Sequence, residues 1–307
     1  MSRDPAILAV HDDTLVGSPY RARFFNGATI FPRLLFMAQA QDAGPLGLAS
    51  GQRAVRSART TSEKEPWKSI PTLEGVVETE FVHPVLLGES VLPYRVLAAR
   101  DAVLPLEGTT LLDGDHPRLD LYPGLADWWR TAERTWTAHR SSDRLTLLEQ
   151  LNFRRKLTTQ LPLPPLRVVY GKAGMHVAAA LVEDTRAVID HTLYWAAVTT
   201  RPEGLYLCAI LNSPILTDLA RPLMSYGKDE RHIDKALWQL PIPLYDAAND
   251  DHRQLADLGQ ACMDYVAVMA LNSAANFVTQ RRAARAALAN FPAAQQANLL
   301  VDQLVAP

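Results

Sequence analysis

Apolar and polar positions change period along this chain, and the changes divide it. Up to Met37 the apolar residues come in short runs, Ala6–Val10 and Ala28–Met37, punctuated by Gly17-Ser18-Pro19-Tyr20 and Asn26-Gly27. Short runs rich in β-branched and aromatic residues predict strands, and Asn-Gly predicts a tight turn between two of them. The runs Leu73–Gly88, Ser90–Leu97 and Ala102–Leu106 extend this β-rich unit. Pro84, Pro93 and Pro105 then belong at strand ends or edges, because proline has no N–H for the ladder. From Pro123-Gly124 the period becomes helical: Leu125, Trp129, Ala132 and Trp136 recur at spacings of four, three and four, with Trp128 beside them. Such a stripe lies on one face and reads as core. After Ser141-Ser142-Asp143 the pattern resumes at Leu145, Leu148 and Leu151. Arg154-Arg155-Lys156 then supply a basic helix end that complements the helix dipole and leaves phosphate contact open.

Leu161-Pro162-Leu163-Pro164-Pro165 is the clearest linker and the predicted internal boundary. Beyond it Leu166–Tyr170, Val177–Val182, Ala187–Ile189 and Thr192–Val198 read as strands, the first two joined by the tight basic turn Gly171-Lys172-Ala173-Gly174. A helix follows and ends at Asn212-Ser213-Pro214; next come a polar loop, an extended Pro241-Ile242-Pro243 exit and a helix starting after Asn249-Asp250-Asp251. That helix carries a short seam of Leu255, Leu258, Cys262, Tyr265 and Met269, broken by Asn272 and Asn276. Gln280–Leu288 is an alanine-rich basic helix, and Leu299, Leu300 and Leu304 form a last apolar turn. The expected organisation is α+β: a β-rich unit over 1–120, a helical segment over 121–160, an α+β unit over 161–250 and C-terminal helices over 251–307.

Composition narrows the class. With 48% hydrophobic and 21% charged residues in 307, the chain has the make-up of a globular protein. No run approaches the roughly 18 apolar residues of a membrane span, and Met1-Ser2-Arg3-Asp4-Pro5 lacks the apolar core of a signal peptide, so a cytoplasmic location is expected. Cys208 and Cys262, on apolar helical faces, read as small buried hydrophobes rather than a disulfide or zinc pair. His83 has no partner at ligand spacing and reads as structural. The net charge of −2 rules out a uniformly basic coat but leaves room for a local basic strip.

The most polar stretch of the first half is such a strip. Arg53, Arg56, Arg59, Lys64 and Lys68 against Glu63 and Glu65 leave it at +3, with hydroxyls and Trp67 interleaved. Guanidinium and hydroxyl donors fit phosphate oxygens, and a tryptophan can pack on sugar or base; the plain alternative is a solvated strand edge. Lys172 in its glycine turn is a second candidate. The loop from Ser225 to Lys235 is a third: Lys228, Arg231 and Lys235 for base edges or phosphates, Tyr226 for stacking and Gly227 for close approach, against Asp229, Glu230 and Asp234.

Five short pieces, Leu211-Asn212-Ser213, Gly227, Arg231-His232-Ile233-Asp234-Lys235, Leu240-Pro241-Ile242-Pro243 and His252 through Gly259, follow one another in an order and spacing that resembles a known family. The family is the target-recognition (specificity) domain, in its C-terminal part, of N6-adenine DNA methyltransferases of restriction-modification type, both type IIG-like and type I specificity-like. The stretch Val55–Lys68 is similar to that family as well. The resemblance implies β-rich target-recognition units, sequence-specific recognition of double-stranded DNA in bacterial defence, and DNA-binding roles for the ten basic and aromatic residues named above. The partners it implies are double-stranded DNA and a methyltransferase catalytic domain or subunit.

Catalysis is a different matter. The family's chemistry needs an Asn/Asp-Pro-Pro-Tyr/Phe motif and a glycine loop for S-adenosylmethionine, and Leu163-Pro164-Pro165 lacks both the amide and the aromatic. No metal-nuclease carboxylate set, nucleophile elbow or His-Glu-x-x-His is present. The expectation is a chain with no catalytic residues, no metal and no cofactor of its own, S-adenosylmethionine belonging to the catalytic partner. Two other classes stay open: an interaction scaffold that uses the Trp-rich helix and the C-terminal seam without touching DNA, and an enzyme with an unrecognised site.

Overall fold

The computed structural model describes residues 17–45, 47–60, 63–226, 231–272 and 274–305. The strand expected at Ala6–Val10 lies outside them. The first half runs β1 (Phe25–Asn26), α1 (Arg33–Phe36), β2 (Met37–Ala40), β3 (Gln52–Ser57), β4 (Glu74–Glu78), β5 (Val82–Leu86), β6 (Val91–Leu92), β7 (Arg95–Val96), β8 (Arg100–Val103), β9 (Leu106–Glu107), β10 (Thr110–Leu111), α2 (Pro123–His139) and α3 (Leu147–Leu151). The second half runs β11 (Arg167–Gly171), β12 (Ala179–Val182), β13 (Val188–Ile189), β14 (Leu193–Ala197), α4 (Arg201–Asn212), α5 (Pro214–Ala220), β15 (Ser225–Tyr226), β16 (Arg231–His232), α6 (Asp250–Ala267), α7 (Phe277–Ala289) and α8 (Pro292–Val305). The fold is α+β, as the switching period predicts. Among the described residues no helix is long and apolar enough to cross a membrane.

The two larger sheets carry the two larger of three core clusters. The first has the order β13-β5-β8-β2-β3-β4, and α2 lies against β4 at its edge. The helix starts with proline in its first turn, and its free N–H groups at Gly124 and Leu125 donate to the Glu78 carboxylate at 2.9 and 2.8 Å. Gly124 passes so near β4 that a Cβ there would sit 2.2 Å from the Val76 carbonyl oxygen. The predicted stripe is the buried face: Leu125, Trp128, Trp129, Ala132 and Trp136 all point inward. The second sheet, β1-β14-β11-β12, is covered by α4, whose residues Glu203–Leu211 are all buried between the sheet, α6 and α8. The absence of a polar face on α4 follows from that two-sided contact.

The chain passes between the sheets four times. β1 joins the second sheet although it precedes β2, and β13 joins the first, parallel to β5, although it lies between β12 and β14. At the crossing Gly27 N–H donates to Leu193 O (3.0 Å), Ala28 N–H to Ile189 O (2.7 Å) and His191 N–H to Ala28 O (2.8 Å). A Cβ on Gly27 would lie 2.3 Å from Asp190 O, so glycine is required there by close backbone approach. Asn26-Gly27 is therefore not the expected hairpin turn.

Other expectations change as well. Ala28–Met37 is not one strand, since α1 occupies Arg33–Phe36 before β2 begins. Pro84 lies inside β5; β13 pairs only with Val85 and Leu86, which leaves one side of the strand open at the proline. The basic residues after α3 are not a helix end, because Arg154 and Arg155 take φ values of 55° and 60°. On α8 the buried stripe is Ala294, Ala297, Val301 and Val305, whereas Leu299 is 66% exposed. Small residues let α8 approach α4 and α6 closely, and the bulkier leucine faces away.

Candidate nucleic-acid interface

The ten candidate residues fall into two groups. On β3, Arg53 and Arg56 are three apart and so project to opposite faces. Each is paired: Arg53 with Asp101 at 2.8 Å and Arg56 with the cross-strand Glu74 at 3.7 Å. Arg59 is turned onto its own loop, donating from Nη1 to the carbonyls of Trp67 (3.2 Å) and Lys68. Trp67 is buried and stacks on Trp136 with centroids 5.5 Å apart and planes at 11°, so its ring is taken up by the core and not by sugar or base. Lys64 and Lys68 are exposed.

The second group assembles from separate elements. The turn after β11 and the segment after β16 are tied together: Ile233 and Asp234 N–H donate to Lys172 O at 2.9 and 3.0 Å, and Ala173 bridges His232. Lys172 reaches Asp234 at 3.7 Å, and Lys235 Nζ donates to Arg21 O at 3.0 Å. Asp234, at φ 41°, is held from both sides, its carbonyl by the Tyr170 hydroxyl (2.6 Å) and its carboxylate by the Tyr194 hydroxyl (3.3 Å). Burial, and next Asp234, push the Tyr194 hydroxyl up to about 12, so it stays a neutral donor. Tyr226 and Arg231 have their main chain in the β15–β16 pair, and Lys228 lies outside the described residues.

The structure adds a cation to this group. Lys156 Nζ donates to Asn26 Oδ1 at 2.7 Å, and the Asn26 amide donates in turn to His191 O (2.7 Å) and Leu193 O (3.1 Å). Partial burial lowers the Lys156 ammonium pKa, and the neighbouring charges of Lys172 and Arg154 lower it further against the opposing pull of Asp190. Lys235 is lowered in the same way, by burial and then by Arg21. Lys156 thus lies near Lys172 and Arg154, and Lys235 near Arg21, while Lys172 also faces the Asp234 carboxylate. Beside them Phe25, paired with Trp195 across β1 and β14, is 44% exposed.

Asp190 anchors this arrangement from beneath. Its buried carboxylate accepts from Arg33 (3.4 Å), His191 Nδ1 (3.1 Å), and the N–H (3.0 Å) and hydroxyl (2.7 Å) of Thr192. Burial pushes the carboxyl pKa up, but His191, Arg33 and Thr192 together outweigh it and hold the group ionised, below its ordinary value. The sequence pointed to Arg154-Arg155-Lys156 as a helix end with phosphate contact left open, and to Asn26 as a turn. What brings them to Lys172 is the crossing of the two sheets, which has no local signature.

The pieces that carry the family resemblance lie mostly inside. Asn212 completes the edge of β12, accepting from Ala179 N–H and donating to Ala179 O, both at 2.9 Å. Ile242 is buried, and its carbonyl accepts from the Ser18 hydroxyl at 2.6 Å. Buried His252 accepts from Asp246 N–H at 3.0 Å, and Gly259 lets α6 meet α4, where a Cβ would lie 2.5 Å from Leu205 O. These residues build the second core. Among the described residues no group of histidine, cysteine and carboxylate side chains could hold a metal ion.

No family model matches the chain, and no curated protein matches it. Among solved structures it is similar to the type IIG restriction endonuclease BpuSI, with a TM-score of 0.37 and 12% identity over 92% of this chain and 32% of that one. The chain spans about a third of that enzyme's length. A likeness this distant does not transfer an activity.

Proposed function

We propose that this chain recognises a specific sequence in double-stranded DNA on behalf of an N6-adenine DNA methyltransferase of a restriction-modification system, without catalytic groups of its own. The observation that carries the proposal is the crowding of Lys156, Lys172 and Arg154, with Lys235 and Arg21 alongside, in a protein of net charge −2. Burial first, and then the charges of Lys172 and Arg154, lower the Lys156 ammonium pKa, and a polyanion placed beside these cations relieves that repulsion. Lys156, Lys172, Lys235 and Arg21 are assigned to phosphate contact, with Lys64 and Lys68 as outlying contacts. Arg53, paired with Asp101 at 2.8 Å, and Arg59, turned onto its own loop, contribute less; Arg56 and Lys172 each face one carboxylate at the longer distance of 3.7 Å. Tyr226 and Arg231, whose main chain pairs between β15 and β16, and Lys228, which lies outside the described residues, are the candidates for base edges in the major groove. The partner domain or subunit would bind S-adenosylmethionine and extrude the adenine.

The scaffold reading loses one of its two surfaces, because Trp128, Trp129 and Trp136 are all buried within this chain. The test is to bind the full chain to a random duplex library at about 50 and 200 mM salt and sequence the bound pool. One enriched short motif supports sequence-specific recognition. Binding that is salt-labile but motif-free limits the chain to backbone contact, and no binding at the lower salt refutes the proposal.

A further inference from the structure

The turn after α3 presents a different chemistry from the basic face. Arg154 and Arg155 are consecutive left-handed residues, at φ 55° and 60°. That conformation crowds the Cβ of any residue but glycine, and neither arginine has the short polar side chain with which Asn or Asp tolerates it. The turn is firmly built nonetheless. Arg155 N–H donates to Asn152 O at 2.7 Å, and Asn152 Oδ1 accepts from the N–H (3.1 Å) and hydroxyl (3.2 Å) of Thr158. So held, Phe153 is 36% exposed with the Arg154 guanidinium 5.3 Å from its ring centroid. Behind it lies an open hollow of about 620 Å³, floored by Leu111, Leu145 and Leu148 and rimmed by Asn152, Arg154 and Arg155. The carboxylate on its rim, Glu149, is committed to Thr146 N–H at 2.8 Å.

Backbone strain persists only where surrounding structure enforces it, and it gathers at ligand-holding sites. These pieces fit one chemistry: a flat heterocycle that stacks on Phe153 and covers the leucine floor, joined to an anion that two guanidinium groups can hold. The volume falls within the roughly 300–1,000 Å³ of ligand sites. The next residue, Lys156, belongs to the basic face, so the hollow opens beside the path proposed for the phosphate backbone.

We infer that the Phe153–Arg155 turn receives one unstacked nucleotide of the bound DNA, its base on Phe153 and the leucines and its phosphate between Arg154 and Arg155. This rests on the DNA reading above and goes beyond it, since phosphate contact alone requires neither an exposed aromatic nor an apolar hollow.

The test compares a labelled duplex, the same duplex with one bulged nucleotide, and adenosine monophosphate, each titrated with the full chain. Stacking of one base on an aromatic corresponds to a preference of about 5- to 150-fold for the bulged duplex. Phe153→Ala removes that preference and leaves affinity for the perfect duplex unchanged. The double variant Arg154→Gly, Arg155→Gly also loses it, with a thermal midpoint no lower than the parent's, because glycine takes positive φ freely. Equal affinity for the two duplexes overturns the inference and leaves the DNA reading standing; no binding to either overturns both. Tighter binding of free adenosine monophosphate than of bulged DNA overturns the DNA strand as occupant, and a lowered midpoint in the glycine variant makes the arginines structural props.

Discussion

Replacing Lys156, Lys172 and Lys235 together by glutamine removes three positive charges from the basic face. Glutamine keeps a donor for Asn26 Oδ1 and Arg21 O, so the local hydrogen bonds at 2.7 and 3.0 Å retain a partner. Each lysine that neutralises one phosphate contributes about 0.9 to the slope of log affinity against log salt, and three contribute about 2.7. Between about 50 and 200 mM salt one contact changes affinity about 3.5-fold, and three compound to about 40-fold. The parent should therefore lose about 40-fold more affinity over that range than the triple variant, read by fluorescence anisotropy on one fixed duplex. Arg53→Gln with Arg59→Gln is the matched comparison, because one guanidinium group already pairs with Asp101 at 2.8 Å and the other donates to the Trp67 and Lys68 carbonyls. That pair should change the slope by less than about one. A triple variant with a slope within one of the parent's, or an Arg53 and Arg59 pair with the larger effect, refutes the assignment of the interface to the second group.

Other consequences are structural. Asp190→Ala strips a buried carboxylate from Arg33, whose Nη1 is itself buried without a hydrogen-bond partner, and should cost about 3–5 kcal/mol in urea unfolding; a loss under about 1 kcal/mol sinks the idea that it anchors the crossing. Because the Asp190 pKa is depressed in the fold, its contribution is present above the ordinary carboxylate range and is lost as pH falls below it, so acidification should destabilise the parent more than Asp190→Asn. Gly27→Ala drives a Cβ into the main chain at Ile189 and Asp190 and should cost about 3 kcal/mol or more; an unchanged melting temperature would contradict the close approach. Burial, and then Arg186, lower the His83 pKa to about 4. His83 is thus neutral in both states above about pH 6.5, and below that the unfolded chain alone gains the proton until about pH 4, at a cost of up to about 3 kcal/mol. His83→Leu should flatten stability over that interval in calorimetric melts, and an unchanged acid limb would place the histidine in solvent.

What could be read from the sequence was whatever repeats within one element. The spacing of Leu125, Trp129, Ala132 and Trp136 gave the buried face of α2, and Asn249-Asp250-Asp251 gave the start of α6 to within about two residues, because a helix face and a polar helix start are local properties. The strands β11 to β14 were likewise legible from their apolar runs and turns. What failed depended on distant chain. Asn26-Gly27 has the residues of a hairpin turn, yet its geometry is dictated by Ile189, Asp190 and Leu193 across the crossing. Leu299 fits an apolar period, yet the close approach of α8 selects the alanines and valines beside it.

The basic residues follow the same division. Their presence, and the excess of charge between Arg53 and Lys68, are properties of the sequence. Whether each charge is answered is not, because the answering carboxylate comes from another strand, as Asp101 does for Arg53, or is outweighed, as Asp190 is at Lys156 by burial and by Lys172 and Arg154. An ionic field depends on distances in space, and sequence separation does not set those. The sequence alone determined the elements, the faces they bury and the supply of cations. Tertiary structure decided which cations oppose one another, because only the crossing of two sheets brings Lys156, Lys172 and the segment ending at Lys235 onto one surface.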